Sequence, residues 1–407
     1  MSDTPKVVRL LVDKCTKSDW EAWREQLSLT NKKQLQQFVM QYLRESNGDL
    51  KPGVQTRKAA DSLFEGHMVD EVKDGKGVMR SGSGEVYFGD FRRGRVEGQG
   101  VQLFPDGEKF EGGFVSGKRA GRGRYVYASG DWYEGDWKDG LKNGQGKMYY
   151  FGTDELYEGQ FVNGLREGKG NFRFSYGDIY QGMWRGDVRE GIGKLKYANG
   201  NIYEGGWSEG KANGTGKMTY ADGDEYDGNW VDGFKSGPGT YNYADGETYS
   251  GLFKDDKRNG GGKLEYKNKD VYYGSWRENM RHGRGVYKFV NGDTYDGEWR
   301  LDKCDGAGEF TSIGAGKYNG EWQAGQMSGE GMMEYANGDV YQGEWLRGMR
   351  HGQGHYIYSK GESLSGKWIN DMKHGGGIVF HRKKKFTVVF VKDSLKQINE
   401  EVIKLGN

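Results

Sequence analysis

Six histidines, two cysteines and 59 acidic side chains are what this 407-residue chain offers to catalysis or metal binding. Imidazoles shuttle protons or ligate metals, and thiolates and carboxylates can join them. His282, His351 and His374, however, share one place, each directly before a glycine that recurs along the chain. They read as periodic turn residues, since equal positions in a repeat lie whole hairpins apart and only His351 and His374 come near each other. Gly-x-Gly pairs mimic pieces of phosphate-binding fingerprints, but none sits between a parallel strand and a helix start, and no Gly-Lys-Ser or Gly-Lys-Thr closes one. Glu134, Glu158 and Glu204 recur on what should be a solvated face and keep the chain soluble. Zinc-protease, nucleophile-elbow and Cys-x-x-Cys patterns are missing. The expectation is no catalytic residue, no metal and no cofactor.

The elements that carry these residues follow from one period. An aromatic, a glycine two residues on and a second aromatic two further return every 23 residues from Phe64 to Trp368, with one extra residue near Thr153 to Glu155. Fourteen copies open at Phe64, Tyr87, Phe110, Tyr133, Tyr157, Tyr180, Tyr203, Tyr226, Tyr249, Tyr272, Tyr295, Tyr318, Tyr341 and Leu364. Counting the opening residue as zero, glycine holds positions two, eleven and thirteen in every copy. A fixed period of this size selects a stack of small units over a single-pocket enzyme.

Large rings at positions zero and four, and at fifteen and seventeen, share a parity in each of two runs, so each copy is two half-buried strands. Asp222-Gly223 and Asn291-Gly292 are hairpin signals. Position seven is Gly, Asp or Asn in thirteen copies, which suits positive φ, whereas Glu71 in the first copy should resist it. No room remains for crossover helices, so the fold class is mainly β: an elongated, twisted antiparallel meander of about 28 strands, roughly 130 Å long if straight at ~4.8 Å per strand. Glycine at position two leaves a slot over which the rings of positions zero and four can lie.

The run Tyr203-Glu204-Gly205-Gly206-Trp207 to Asn213-Gly214-Thr215-Gly216-Lys217-Met218-Thr219-Tyr220-Ala221-Asp222-Gly223 resembles the MORN repeat family (membrane occupation and recognition nexus). The resemblance spans about fourteen repeats. It implies a twisted hairpin array with a groove, serving as a scaffold in cilia, flagella and other cytoskeletal or membrane-adjacent structures.

Sixty basic side chains against 59 acidic ones, interleaved along the repeats, exclude a nucleic-acid footprint. Glycine-rich sequence with 34% hydrophobic content would suggest disorder were the aromatics not locked to the period. Cys15 and Cys304 suit a reduced, intracellular compartment better than a disulfide framework. Met1 to Lys6 lacks a secretory pattern, and the longest apolar run, Phe386 to Val391, is far short of a membrane span.

The expected organisation is an N-terminal helical module over 1–47, a linker over 48–62, the repeat array over 63–382, and a half-repeat strand with a capping helix over 383–407. The module rests on the capping box Ser18-Asp19-Trp20-Glu21 and on Leu35, Phe38, Val39, Tyr42 and Leu43 at helical spacing. It would serve as a cap or as a docking module. The capping helix rests on Leu395, Ile398, Val402 and Leu405 falling on one face.

The leading functional expectation is a non-enzymatic scaffold in the cytoplasm, associated by family analogy with a ciliary or flagellar cytoskeleton. It binds a partner's helix or extended peptide along an aromatic groove lined by Tyr180, Trp184, Tyr203, Trp207, Tyr226 and Trp230, and could form a homodimer through an end. A membrane-surface adaptor is the alternative. His381 and the run Arg382, Lys383, Lys384 and Lys385 would attract anionic head groups at roughly 1 kcal/mol per basic residue, or else form a solvated turn guarding the next strand. A regulatory platform for an enzyme would need a separate chain, since only 30 residues follow the last Gly-x-Gly.

Overall fold

The computed structural model describes residues 54–382 and 384–401. Among the described residues there are 31 strands and no helix. The chain divides into two compact units, residues 1–211 and 212–407. The first carries β1 (Val54–Ala59) to β14 (Ile202–Ser208), and the second carries the strands from β15 (Lys211–Thr219) to β31 (Ser394–Glu401). In each unit consecutive strands pair antiparallel, as in β12 (Ile179–Arg185) with β13 (Val188–Lys196) and β13 with β14. The expected 28 repeat strands are β2 (Ser62–Val69) to β29 (Met372–His381), two for each copy.

Register explains the glycines. Gly182 faces Gly193 in one hairpin, and Gly193 faces Gly205 in the next, so a track of bare backbone crosses the sheet. The ring of Tyr180 folds over it. A Cβ on Gly182 would stand 2.5 Å from the Gly193 Cα and 2.6 Å from the Tyr180 ring, and a Cβ on Gly193 would be equally close to that ring. Position four gains a bulge between Gly182 and Trp184, which pairs Trp184 with Arg189 and keeps both on the ring-bearing face.

Two turns close each copy. In the inner one, Asp139 (φ 50°) and Gly140 (φ 86°) both lie in the left-handed region, as a two-residue hairpin of right-handed strands requires. Glu71, expected to resist this, adopts φ 62° beside Asp70 at φ 49°. The turn between copies is pinned by Tyr197 N donating to Asn201 O and Gly200 N donating to Tyr197 O.

The ends depart from expectation. The helical module at 1–47 lies outside the described residues, while β1 occupies part of the polar segment that follows and pairs with β2. Phe386, Val388 and Phe390 do sit on a strand, β30 (Lys384–Val391). The capping helix is corrected: Leu395 and Ile398 belong to strand β31, and Val402 and Leu405 lie outside the described residues. Lys392 (φ 48°) and Asp393 (φ 62°) form the same tight turn as the repeats, folding β31 back onto β30. A bulge pairs Phe390 with Leu395 but Val389 with Gln397, so one extra residue brings Leu395 and Ile398 to one face. Their i, i+3 spacing imitates a helix.

Candidate partner-binding face

The face that carries the rings is built in layers. At the bottom lie the position-zero tyrosines: Tyr180, Tyr203 and Tyr226 are 0% exposed. Each hydroxyl donates to the carbonyl three residues on, as Tyr180 to Met183 O at 3.0 Å and Tyr226 to Asn229 O at 2.9 Å. Burial pushes the Tyr180 phenol up to about 12, and burial raises those of Tyr203 and Tyr226 as well. Trp184, Trp207 and Trp230 are also buried. Each indole N–H donates back to the position-thirteen glycine of the preceding copy, Trp184 to Gly170 O at 3.3 Å and Trp207 to Gly193 O at 3.1 Å. Tyr180 meets Trp184 edge-on at 5.3 Å and Trp207 at 5.2 Å. The six rings expected to line an open groove are therefore interior. For Tyr180 the following copy supplies the second wall, Trp207, and a partner cannot reach these buried rings.

Above the tryptophans sits a row of cations at position nine. The Arg166 guanidinium lies 4.3 Å from the Trp184 ring and donates to Asp187 Oδ1 and O, both at 2.9 Å. Arg281 and Arg350 repeat this on Trp299 and Trp368, with Asp302 and Asp371 as partners. Burial lowers the Lys142 and Lys235 amines from their ordinary value. Ala212, Cys304 and Met327 interrupt the row in the second unit, and Trp322 between the last two is half-buried. Burial pushes the Cys304 thiol up to about 11, so it stays protonated at neutral pH.

Among the rings that solvent reaches on this face are those of position seventeen. Tyr127, Phe174 and Tyr197 in the first unit, and Tyr220, Tyr243 and Tyr266 in the second, are half-buried. Each leans on the position-fifteen ring of its strand where there is one, as Tyr243 on Tyr241 at 4.5 Å and Phe174 on Phe172 at 4.5 Å. Burial raises the Tyr197, Tyr243 and Tyr266 phenols, so at neutral pH their hydroxyls remain available as donors.

A second set went unread in the sequence: carboxylates at position 21. Asp270 accepts from Tyr287 Oη at 2.7 Å, Val290 N at 2.8 Å and Asn268 Nδ2 at 2.9 Å, and Asp339 accepts in the same way from Tyr356 Oη and Ser359 N. Burial opposes the Asp270 charge, but these bonds hold its carboxyl below the usual range. The signal was present, since an acid stands at position 21 in most copies and a tyrosine at position fifteen of several.

Among the described residues no three His, Cys, Asp or Glu side chains are placed to hold a metal. His282, His351 and His374 sit near the inner turns, on β21 (Met280–Lys288), β27 (Met349–Ile357) and β29. Glu158 and Glu204 pair across strands with Lys147 at 3.1 Å and Lys194 at 3.2 Å on the solvated face, where Glu134 is also exposed. In the basic run, Arg382 is an exposed turn residue, Lys384 pairs with Glu400 at 2.7 Å, Lys385 is half-buried, and Lys383 lies outside the described residues. No helix among the described residues is long and apolar enough to cross a membrane.

Comparison with known proteins places this geometry. No curated protein matches the chain. Solved structures that resemble it include the TCP domain of SAS-4 from Drosophila melanogaster in complex with a proline-rich motif, at 17% identity over 37% of this chain and 81% of that one, with a TM-score of 0.26. The G-box domain of the microcephaly protein CPAP follows at 10% identity, 49% and 93% coverage and a TM-score of 0.18. A streptogramin B lyase stands at 12% identity, 84% and 98% coverage and a TM-score of 0.12. TM-scores this low carry no argument about function. The MORN repeat model, by contrast, matches thirteen segments between residues 64 and 363, from 64–86 to 341–363, and the hairpin opening at Leu364 continues the same register. With more than half of its residues matched by that model, the chain belongs to the MORN repeat family.

Proposed function

We propose that the chain is a non-enzymatic scaffold that holds a helix or extended segment of a partner protein on its position-seventeen rings, and so organises a cytoskeletal assembly of the ciliary or flagellar kind. One observation carries this reading. The inner tyrosines and tryptophans are consumed by the fold, while Tyr220, Tyr243 and Tyr266 recur half-exposed at the same place in successive copies. Rings with a polar tip at a constant interval are suited to act as anchors for a repetitive or helical ligand. The cytoplasmic and cytoskeletal setting comes from family analogy.

The test separates anchor from core. Tyr243→Ala with Tyr266→Ala should abolish partner capture in a pull-down from native cells while leaving the melting temperature nearly unchanged. Trp230→Ala should instead unfold its neighbourhood, at a cost of about 3–5 kcal/mol. Capture that survives the double tyrosine variant would sink the reading.

A second reading, a peripheral membrane adaptor through Arg382, Lys383, Lys384 and Lys385, is favoured by the exposed turn at Arg382. The Lys384–Glu400 pair weighs against it by offsetting one of the charges. Sedimentation with phosphatidylserine vesicles at low salt, lost on Arg382→Glu with Lys383→Glu, is its test.

A further inference from the structure

Strand β31 presents an open edge. Among the described residues it pairs with β30 alone, and every residue from Val391 to Glu400 is exposed, including Leu395 at 49% and Ile398 at 55%. Ile398 stands beside Val388, which is 3% exposed and part of the core cluster with Leu364 and Trp368. In the repeats, glycines fill the two equivalent places and the next copy covers them. Here Val388 and Ile398 fill them, and among the described residues no further strand pairs with β31. An extended edge with apolar residues on its core side is a template for another strand.

We propose that the edge is filled by β31 of a second copy of this chain, paired antiparallel about Ile398. The choice of occupant comes from charge complementarity. Centred on Ile398, an antiparallel pairing of two identical strands sets Ile398 opposite its own copy, Lys396 opposite Glu400 of the second chain, and Glu400 opposite Lys396. Ile398 and Glu400 share one face and Lys396, the extra residue of the bulge, flanks them, so the pairing joins two apolar side chains and sets two opposite-charge pairs beside them. The same patch serves both copies, which makes the contact isologous and closes it at two chains. A shift of one residue in the sum of paired positions places Ile398 opposite Gln397 or Asn399, and the opposite-charge pairs favour the register centred on Ile398. Lys384, already paired with Glu400 at 2.7 Å, adds a further cation to the same cluster.

Sedimentation equilibrium of the full chain over a wide concentration range is the test. The wild type should fit a monomer–dimer equilibrium, and Ile398→Lys should be monomeric. Lys396→Glu alone sets two pairs of acids against each other, and Glu400→Lys alone sets two pairs of bases, so each should weaken association by about tenfold or more. Mixed in equal amounts, these two variants restore both opposite-charge pairs and should dimerise with each other about as well as the wild type. Unchanged melting curves certify that the exposed substitutions leave the fold intact. A monomeric wild type, single variants that self-associate like the wild type, or a mixture that fails to form the heterodimer would each overturn the proposal.

Discussion

Neighbouring glycines 261 and 262 show how differently one residue type is used. Gly262 faces the Tyr249 ring, whose carbons lie 2.6 Å from where its Cβ would be, whereas a Cβ on Gly261 meets nothing within 4 Å. Gly262→Ala should therefore lower stability by about 1–3 kcal/mol or more through overpacking. Gly261→Ala should be neutral or gain up to roughly 1 kcal/mol from the reduced freedom of the unfolded chain. Urea midpoints of the two variants decide it, and equal losses would refute the packing account. The position-two and position-thirteen glycines were legible in the sequence because a side chain is missing there at a fixed phase. The fate of Trp207 was not. Parity told which side it faces, but its burial depends on neighbouring copies, and in place of an open groove Trp207 forms part of a floor that Arg189 covers.

At the scale of the hairpin, the position-21 carboxylates tie each turn to the next copy. Removing Asp270 leaves Val290 N and the Tyr287 hydroxyl without their acceptor, so Asp270→Ala should cost about 1–3 kcal/mol. The sign of its pH dependence follows from a folded pKa held below the unfolded one. The contribution is present above about pH 4 and is lost as pH falls through the folded value, so wild type and variant should converge in acid. Denaturation series at neutral and acid pH measure this, and a gap that persists at low pH would refute it. Hairpins and turns were readable from Asn291-Gly292 and its equivalents because turn chemistry is local. The C-terminal strand was not, since a single bulged residue gives Leu395 and Ile398 the spacing of a helix.

Taken over the whole molecule, burial of the position-zero tyrosines makes alkali the opposing condition. Burial pushes Tyr180 and Tyr249 up to about 12 and raises their equivalents in other copies. A raised folded pKa gives stability that is intact below the ordinary tyrosine value of about 10 and is lost as pH rises through the folded one. The melting temperature should thus hold steady to about pH 10 and fall steeply by about pH 12, with the half-buried Lys142 and Lys235 acting weakly in the opposite sense. A decline that starts near neutrality would contradict this. The same arrangement has a direction. Tyr180 receives one tryptophan from its own copy and the other, Trp207, from the copy that follows, while the Trp207 indole reaches back to a glycine already laid down. On the ribosome, then, a nascent chain can zip up from its first copy onward as residues emerge. Within the first unit, a synthesis halted after several copies leaves the last position-zero ring short of its second wall, a small exposed lesion at the end of an otherwise buried row.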